Sequence, residues 1–106
     1  MNDNNIDPEL AMVTTSYTFE SFVWKLIEEE SLEKELEERR LWYMIKKLAE
    51  KVDRNTIKDF SDCTTWRDSA IHPWLRKLKT EDRMEFIEKV KQLVGMKNEI
   101  IRKISS

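Results

Sequence analysis

An all-α fold, a small bundle of four to six helices closed by a long C-terminal amphipathic helix, is predicted by three features of this 106-residue sequence. Only one Gly and two Pro occur, and strands joined by tight turns depend on such residues for positive φ and fixed bends. Charged residues make up 38% of the chain, chiefly straight-chain Glu, Lys and Arg, which with Leu and Met lose little rotamer freedom in a helix. Apolar residues recur at helical rather than alternating spacing through most of the length. A chain this short buries about two thirds of the surface its unfolded form exposes, so the core is small and the chain reads as one domain.

Residues 1–16 carry no sustained period and read as a flexible acidic and polar tail ahead of a single helical domain at 17–104. Phe19, Phe22, Val23, Leu26 and Ile27 share one helical face and predict a helix over 18–30. Leu32 and Leu36 fall on the opposite side of that wheel, which predicts a break or bend near Ser31. Beyond it, Leu41, Met44, Ile45, Leu48 and Val52 form a stripe. An acidic start (Glu33, Glu35, Glu37, Glu38) and a basic end (Lys46, Lys47, Lys51) suit one longer helix over 31–53. Short helical pieces are expected at 55–60, 66–71 and 73–78, separated by a loop at Ser61–Thr65, with Thr65 and Asp68 as a weak capping box and Pro73 at a first turn. Thr80, Glu81 and Asp82 open the last helix, 81–103, whose face is Phe86, Ile87, Val90, Leu93, Val94, Ile101 and Ile104; Gly95 marks where it bends or frays.

Few function classes survive the composition. Cys63 is the only cysteine, so neither an intramolecular disulfide nor a multi-Cys zinc site can form within one chain. It stands among Ser61, Asp62, Thr64 and Thr65 without the cations that would activate a thiol. His72 is the only histidine and has no ligand or triad spacing around it. A sole glycine excludes a Gly-rich phosphate loop, and the Glu-rich stretch 28–38 lacks the Glu-x-x-His element of di-metal bundles. No catalytic residue, no metal site, no cofactor and no small-molecule substrate are therefore expected. Without a basic and apolar leader or a membrane-length apolar run, an intracellular location, nuclear or cytoplasmic, and no membrane partner are expected.

Charge is segregated: residues 1–38 hold 11 acidic and 2 basic side chains, net −9, and residues 39–106 hold 10 and 17, net +7. Such asymmetry can serve a charged ligand or pairing between the two portions. Along the helices, Glu35 with Arg39, Glu50 with Arg54 and Glu85 with Lys89 are i,i+4 pairs in the favourable order. Four Trp are many for so small a chain; not all can be buried, and exposed Trp is a usual anchor of binding surfaces.

At residues 73–94 the string PWLRKLKTEDRMEFIEKVKQLV resembles the BESS motif, a helical interaction segment of insect chromatin and transcription proteins. Pro73, Leu75 and Leu78 match its Pro-x-Leu-x-x-Leu, Arg83 its basic position, and Phe86, Val90 and Leu93 its later apolar positions. Upstream, where the motif has Phe-x-x-Ser-Leu-Leu, the chain reads Trp66-Arg67-Asp68-Ser69-Ala70-Ile71-His72. The accompanying Myb-like DNA-binding domain has no match here. The resemblance implies self-association or partner binding in a nuclear regulatory setting, with 66–94 as the interaction segment.

The expected function is a non-catalytic protein–protein interaction module, forming a homodimer or binding a heterologous protein. Trp66, Trp74, Leu75, Leu78, Phe86, Val90 and Leu93 are its expected contact residues. Two alternatives stand beside it. Arg39, Arg40, Lys46, Lys47, Lys51 and Arg54, with Trp42 and Tyr43, could make the 39–54 face a nucleic-acid-binding surface. A small inhibitor of viral or phage type, docking on a larger protein, is the other.

Overall fold

The computed structural model describes residues 8–72 and 78–105. Five α-helices run in chain order: α1 (Pro8–Glu29), α2 (Leu41–Ala49), α3 (Arg54–Ile71), α4 (Thr80–Gly95) and α5 (Lys97–Ser105), with one 3₁₀ turn at Glu33–Glu35. The described residues contain no strand. The fold is an all-α bundle in which α1, α3 and α4 pack on one another, α2 lies against α1 and α3, and α5 follows α4. Phe19, Phe60 and Phe86, one from each of the three central helices, are fully buried. Phe60 lies 6.1 Å from Phe19 and 6.3 Å from Phe22, centroid to centroid.

Helix α1 begins earlier than the periodicity suggested. It takes in residues 8–16, assigned above to the tail, and inserts Met12 and Ser16 into the core. The polar run Thr14-Thr15-Ser16 is accommodated because the hydroxyls of Thr15, Ser16 and Thr18 donate to the carbonyls four residues back, at 2.8, 2.8 and 2.9 Å. A helix tolerates such back-bonding, which leaves these polar side chains satisfied. The remainder of the expected tail, residues 1–7, lies outside the described residues.

The break at Ser31 is present and has a defined chemistry. Ser31 takes φ 55°, its N–H donates to the Glu28 carbonyl at 3.1 Å, and the Leu32 N–H donates to the Ile27 carbonyl at 2.9 Å. This pair of bonds is a Schellman motif with Ser31 at the left-handed position usually taken by Gly, and the apolar residue that follows, Leu32, is buried as the motif prefers.

No continuous helix spans 31–53. After the 3₁₀ turn the backbone is extended at Leu36 and at Arg40, and α2 starts only at Leu41. A straight helix would hold Leu32 and Leu36 on the side opposite Leu41, Met44 and Leu48. Unwinding between them lets Leu32, Leu41, Met44 and Leu48 all reach the core, with Leu36 packed against it. Repulsion along the glutamate run also weighs against helix there.

The expected loop at Ser61–Thr65 is instead the middle of one 18-residue helix, α3. Thr56, Phe60 and Cys63, at spacings of four and three, are its buried seam. The Thr64 and Thr65 hydroxyls bond back to the Phe60 and Ser61 carbonyls, at 2.8 and 3.2 Å. Tertiary burial overrides the weak helix preference of Ser, Thr and Cys. The long C-terminal helix is likewise divided, at Met96. The short helix expected at 73–78 lies on residues that, up to 77, are outside the described ones.

Candidate interaction surface

The C-terminal residues expected to meet a partner are largely consumed by the chain's own core. Phe86 is fully buried, and Leu93, Val90 and Leu78 are 1%, 4% and 8% exposed. The apolar stripe of α4 faces α1 and α3, and Leu78 just ahead of it is buried in the same core, so these four side chains offer a partner no surface while the domain is folded. Trp66 is half-buried with its ring 6.1 Å from that of Phe86. Trp74 and Leu75 lie outside the described residues.

The basic face is also partly engaged. The Arg39 guanidinium sits 5.6 Å over the Trp24 ring and the Lys46 ammonium 5.1 Å over Trp42, distances that fit cation–π attraction. Arg40 pairs with Glu38 at 2.9 Å. Lys47 lies between Glu50 at 3.2 Å and Glu35 at 3.6 Å; the hydrogen bond to Glu50 holds its ammonium above its ordinary value, desolvation opposes this, and Glu35 adds to the rise. Lys51 and Arg54 are exposed.

Charge segregation along the sequence is resolved by pairing within the domain. Glu20 of α1 is ion-paired with Arg67 of α3, Glu29 binds Lys97 at 2.9 Å, and the Ser105 hydroxyl donates to Glu30 at 2.9 Å. None of the three favourable i,i+4 pairs is the ion pair formed: Glu35 and Glu50 meet Lys47, and Lys89 meets Asp59 of α3 at 3.3 Å. Bonds between elements stand beside pairs along one helix, such as Lys58 with Asp62 at 3.4 Å, because the helices bring carboxylates and cations together at their seams.

Seven large apolar side chains are exposed among the described residues, and three of them, Leu10 (60%), Val13 (52%) and Tyr17 (72%), stand on a single stripe of α1. Their spacing of three and four residues puts them on one helical face. Core residues Met12, Phe19, Val23 and Leu26 occupy the other face. The stripe continues to Glu20, which with Arg39, Arg40, Trp42, Met44 and Arg67 lines a cleft of about 490 Å³. Trp42 is 59% exposed at this cleft, its ring nearly perpendicular to that of Tyr43 with centroids 4.8 Å apart. Sequence reasoning missed the stripe because residues 1–16 were set aside; the signal was there in the i, i+3, i+7 spacing of Leu10, Val13 and Tyr17.

The two residues weighed for chemistry lie within α3 and at its end. Cys63 is fully buried, and desolvation first, then the nearby carboxylates of Asp59 and Asp62, push its thiol up to about 12, so it stays protonated. His72 ends α3, its backbone N–H donating to the Asp68 carbonyl at 3.0 Å. Among the described residues no group of three or more His, Cys, Asp or Glu is placed to hold a metal ion, and no helix is long and apolar enough to cross a membrane. Comparison with protein-family models, curated proteins and solved structures returned no match to this chain.

Proposed function

We propose that the protein is a non-catalytic protein-docking module whose contact surface is the outer face of α1, continuing toward the Arg39–Trp42 cleft. One observation carries this reading. In a chain with 38% charged residues, the longest helix turns Leu10, Val13 and Tyr17 outward on one stripe while its opposite face already fills the core. A contiguous exposed apolar stripe with polar edges is what a protein interface leaves visible in the free protein. Tyr17 on the stripe and Trp42 at the cleft are of the kinds that most often anchor such contacts. The C-terminal helices then act as scaffold for this face.

Site-specific photocross-linking tests the reading. A photoreactive phenylalanine at Tyr17 in the cells of origin is expected to yield a discrete cross-linked protein, whether a foreign partner or the chain itself. The same group at Lys91, exposed on α4, is expected to yield none. Equal products from both positions, or none from either, would overturn it.

A second reading, nucleic-acid binding by the 39–54 face, is favoured by Trp42, exposed beside Lys46 and the cleft arginines. It predicts retention on single-stranded DNA or RNA that weakens steeply with salt and is lost in Trp42→Ala. Absence of retention at low salt would eliminate it.

A further inference from the structure

Helix α5 is fastened to the ends of other helices. The Lys97 ammonium lies 2.9 Å from a carboxylate oxygen of Glu29 at the end of α1, the Ser105 hydroxyl donates to Glu30 at 2.9 Å, and the Lys103 ammonium donates to Asp53, the residue before α3, at 2.9 Å. Ile100 is fully buried and Ile104 is 7% exposed. Only Met96 separates α5 from α4. We infer that two copies of the chain exchange α5: in each, α4 and α5 join into one straight helix, and the α5 of each copy fills the α5 site of the other. This interface is separate from the α1 face and does not depend on it.

The break between the two helices is slight. Met96 takes φ −96° and ψ 12°, against about −63° and −42° in a regular helix. Its N–H still donates to the carbonyls of Gln92 and Leu93 at 3.0 and 3.1 Å, and its carbonyl accepts from the Ile100 N–H at 3.0 Å. Rotation about this one residue makes the helix continuous. A hinge so short cannot spread its bend over a loop, the condition under which exchange of an element competes with closure inside one chain.

Straightening also aligns the buried side chains. Phe86, Val90, Leu93, Lys97, Ile100 and Ile104 succeed one another at intervals of four, three, four, three and four residues, and in a continuous helix they form one seam. The first half of that seam stays in its own bundle. The second half is carried beyond it, which puts Ile100 and Ile104 in water and parts Glu29, Glu30 and Asp53 from Lys97, Ser105 and Lys103. The surface that fits α5 residue for residue is the vacated site of an identical chain. Exchange about a two-fold axis remakes every one of these contacts, whereas a foreign partner would have to reproduce them all. Because the contacts are the same in both forms, the balance is set by the hinge and by concentration. A flexible hinge would hold α5 about its own site at an effective concentration of about millimolar, and the short hinge lowers the protein concentration at which the dimer forms.

The test is zero-length carbodiimide cross-linking of an equal mixture of unlabelled and ¹⁵N-labelled full chains, refolded together from urea at micromolar to millimolar concentration, digested and weighed. Peptides joining Glu29 to Lys97 are expected to carry one isotope at low concentration and both at high concentration, the mixed share rising toward about one half, the limit for random pairing in a two-fold dimer. Peptides joining Asp59 to Lys89, an ion pair at 3.3 Å between α3 and α4, should stay within one isotope throughout. Inserting Gly-Ser-Gly between Gly95 and Met96 should lower the mixed share at least tenfold at the same concentration, with the circular dichroism unchanged. Glu29–Lys97 peptides that never mix, or that fail to form while Asp59–Lys89 peptides do, would overturn the exchange, even if the chain dimerises through another face. Equal mixing in the insertion variant would overturn the part given to the hinge.

Discussion

Asp53 joins the start of one helix to the end of another. It is the residue before α3, in extended conformation, and one carboxylate oxygen accepts from the Thr56 hydroxyl at 2.6 Å and from the Lys103 ammonium of α5 at 2.9 Å. The Thr56 hydrogen bond first, then Lys103, hold its carboxyl well below the usual carboxylate range. Because the folded-state value lies below the unfolded one, the linked stabilisation is complete above the ordinary value of 3.8 and is lost as pH falls below it toward the folded value. Asp53→Asn should lower stability in urea titrations at neutral pH and change it less at about pH 2, where the unfolded-state carboxyl is protonated and much of the linked stabilisation is gone. An equal loss at both would assign Asp53 a packing role instead. The α3 end of this contact was partly legible, since Asp53-Arg54-Asn55-Thr56 reads as a helix junction. Lys103, fifty residues away, was not, because no local pattern encodes which distant cation the fold returns to that junction.

At the scale of the helices, the ends of α1 and α4 carry opposite mismatches. Ser31 occupies a left-handed position that favours Gly, whereas Gly95 closes α4 without positive φ and with no atom within 4 Å of where a Cβ would stand. Ser31→Gly should stabilise by about 0.5–1 kcal/mol through relief of left-handed strain, and Gly95→Ala by a similar ~0.5–1 kcal/mol through reduced unfolded-state entropy. The two exchanges run in opposite chemical directions and both should raise the urea midpoint; a fall in either would contradict the backbone assignment at that site. Helix existence was readable here wherever a stripe of Leu, Ile, Val and Phe was long enough, as in α1 and α4. Helix limits were not. The Thr-Thr-Ser run of α1 and the Ser-Asp-Cys-Thr-Thr run of α3 look like loop to any local rule, and only the burial of Met12, Phe60 and Cys63 draws them into helix. Residues 31–40, expected as the first part of one longer helix, unwind so that Leu32 and Leu41 can both reach one core.

For the whole molecule, the deciding quantity is which apolar stripes the core consumes. Phe86 is fully buried between α4 and its neighbours, so Phe86→Ala should destabilise by about 3–5 kcal/mol, a large share of the ~5–15 kcal/mol typical of a domain. Chemical denaturation of monomeric samples measures this, and a cost below about 1 kcal/mol would contradict its place in the core. Phe86→Glu should likewise unfold the chain. Sequence alone determined the helical class, the break at Ser31, the stripes of α1 and α4 and the segregation of charge, because these follow from propensity and from periods along one helix. Only the tertiary structure decided which stripe faces inward. The α1 helix carries apolar residues on two sides, and packing against α3 and α4 takes one of them. That geometry buries Phe86, Val90 and Leu93 and leaves Leu10, Val13 and Tyr17 in water, moving the candidate docking face from the end of the chain to its beginning.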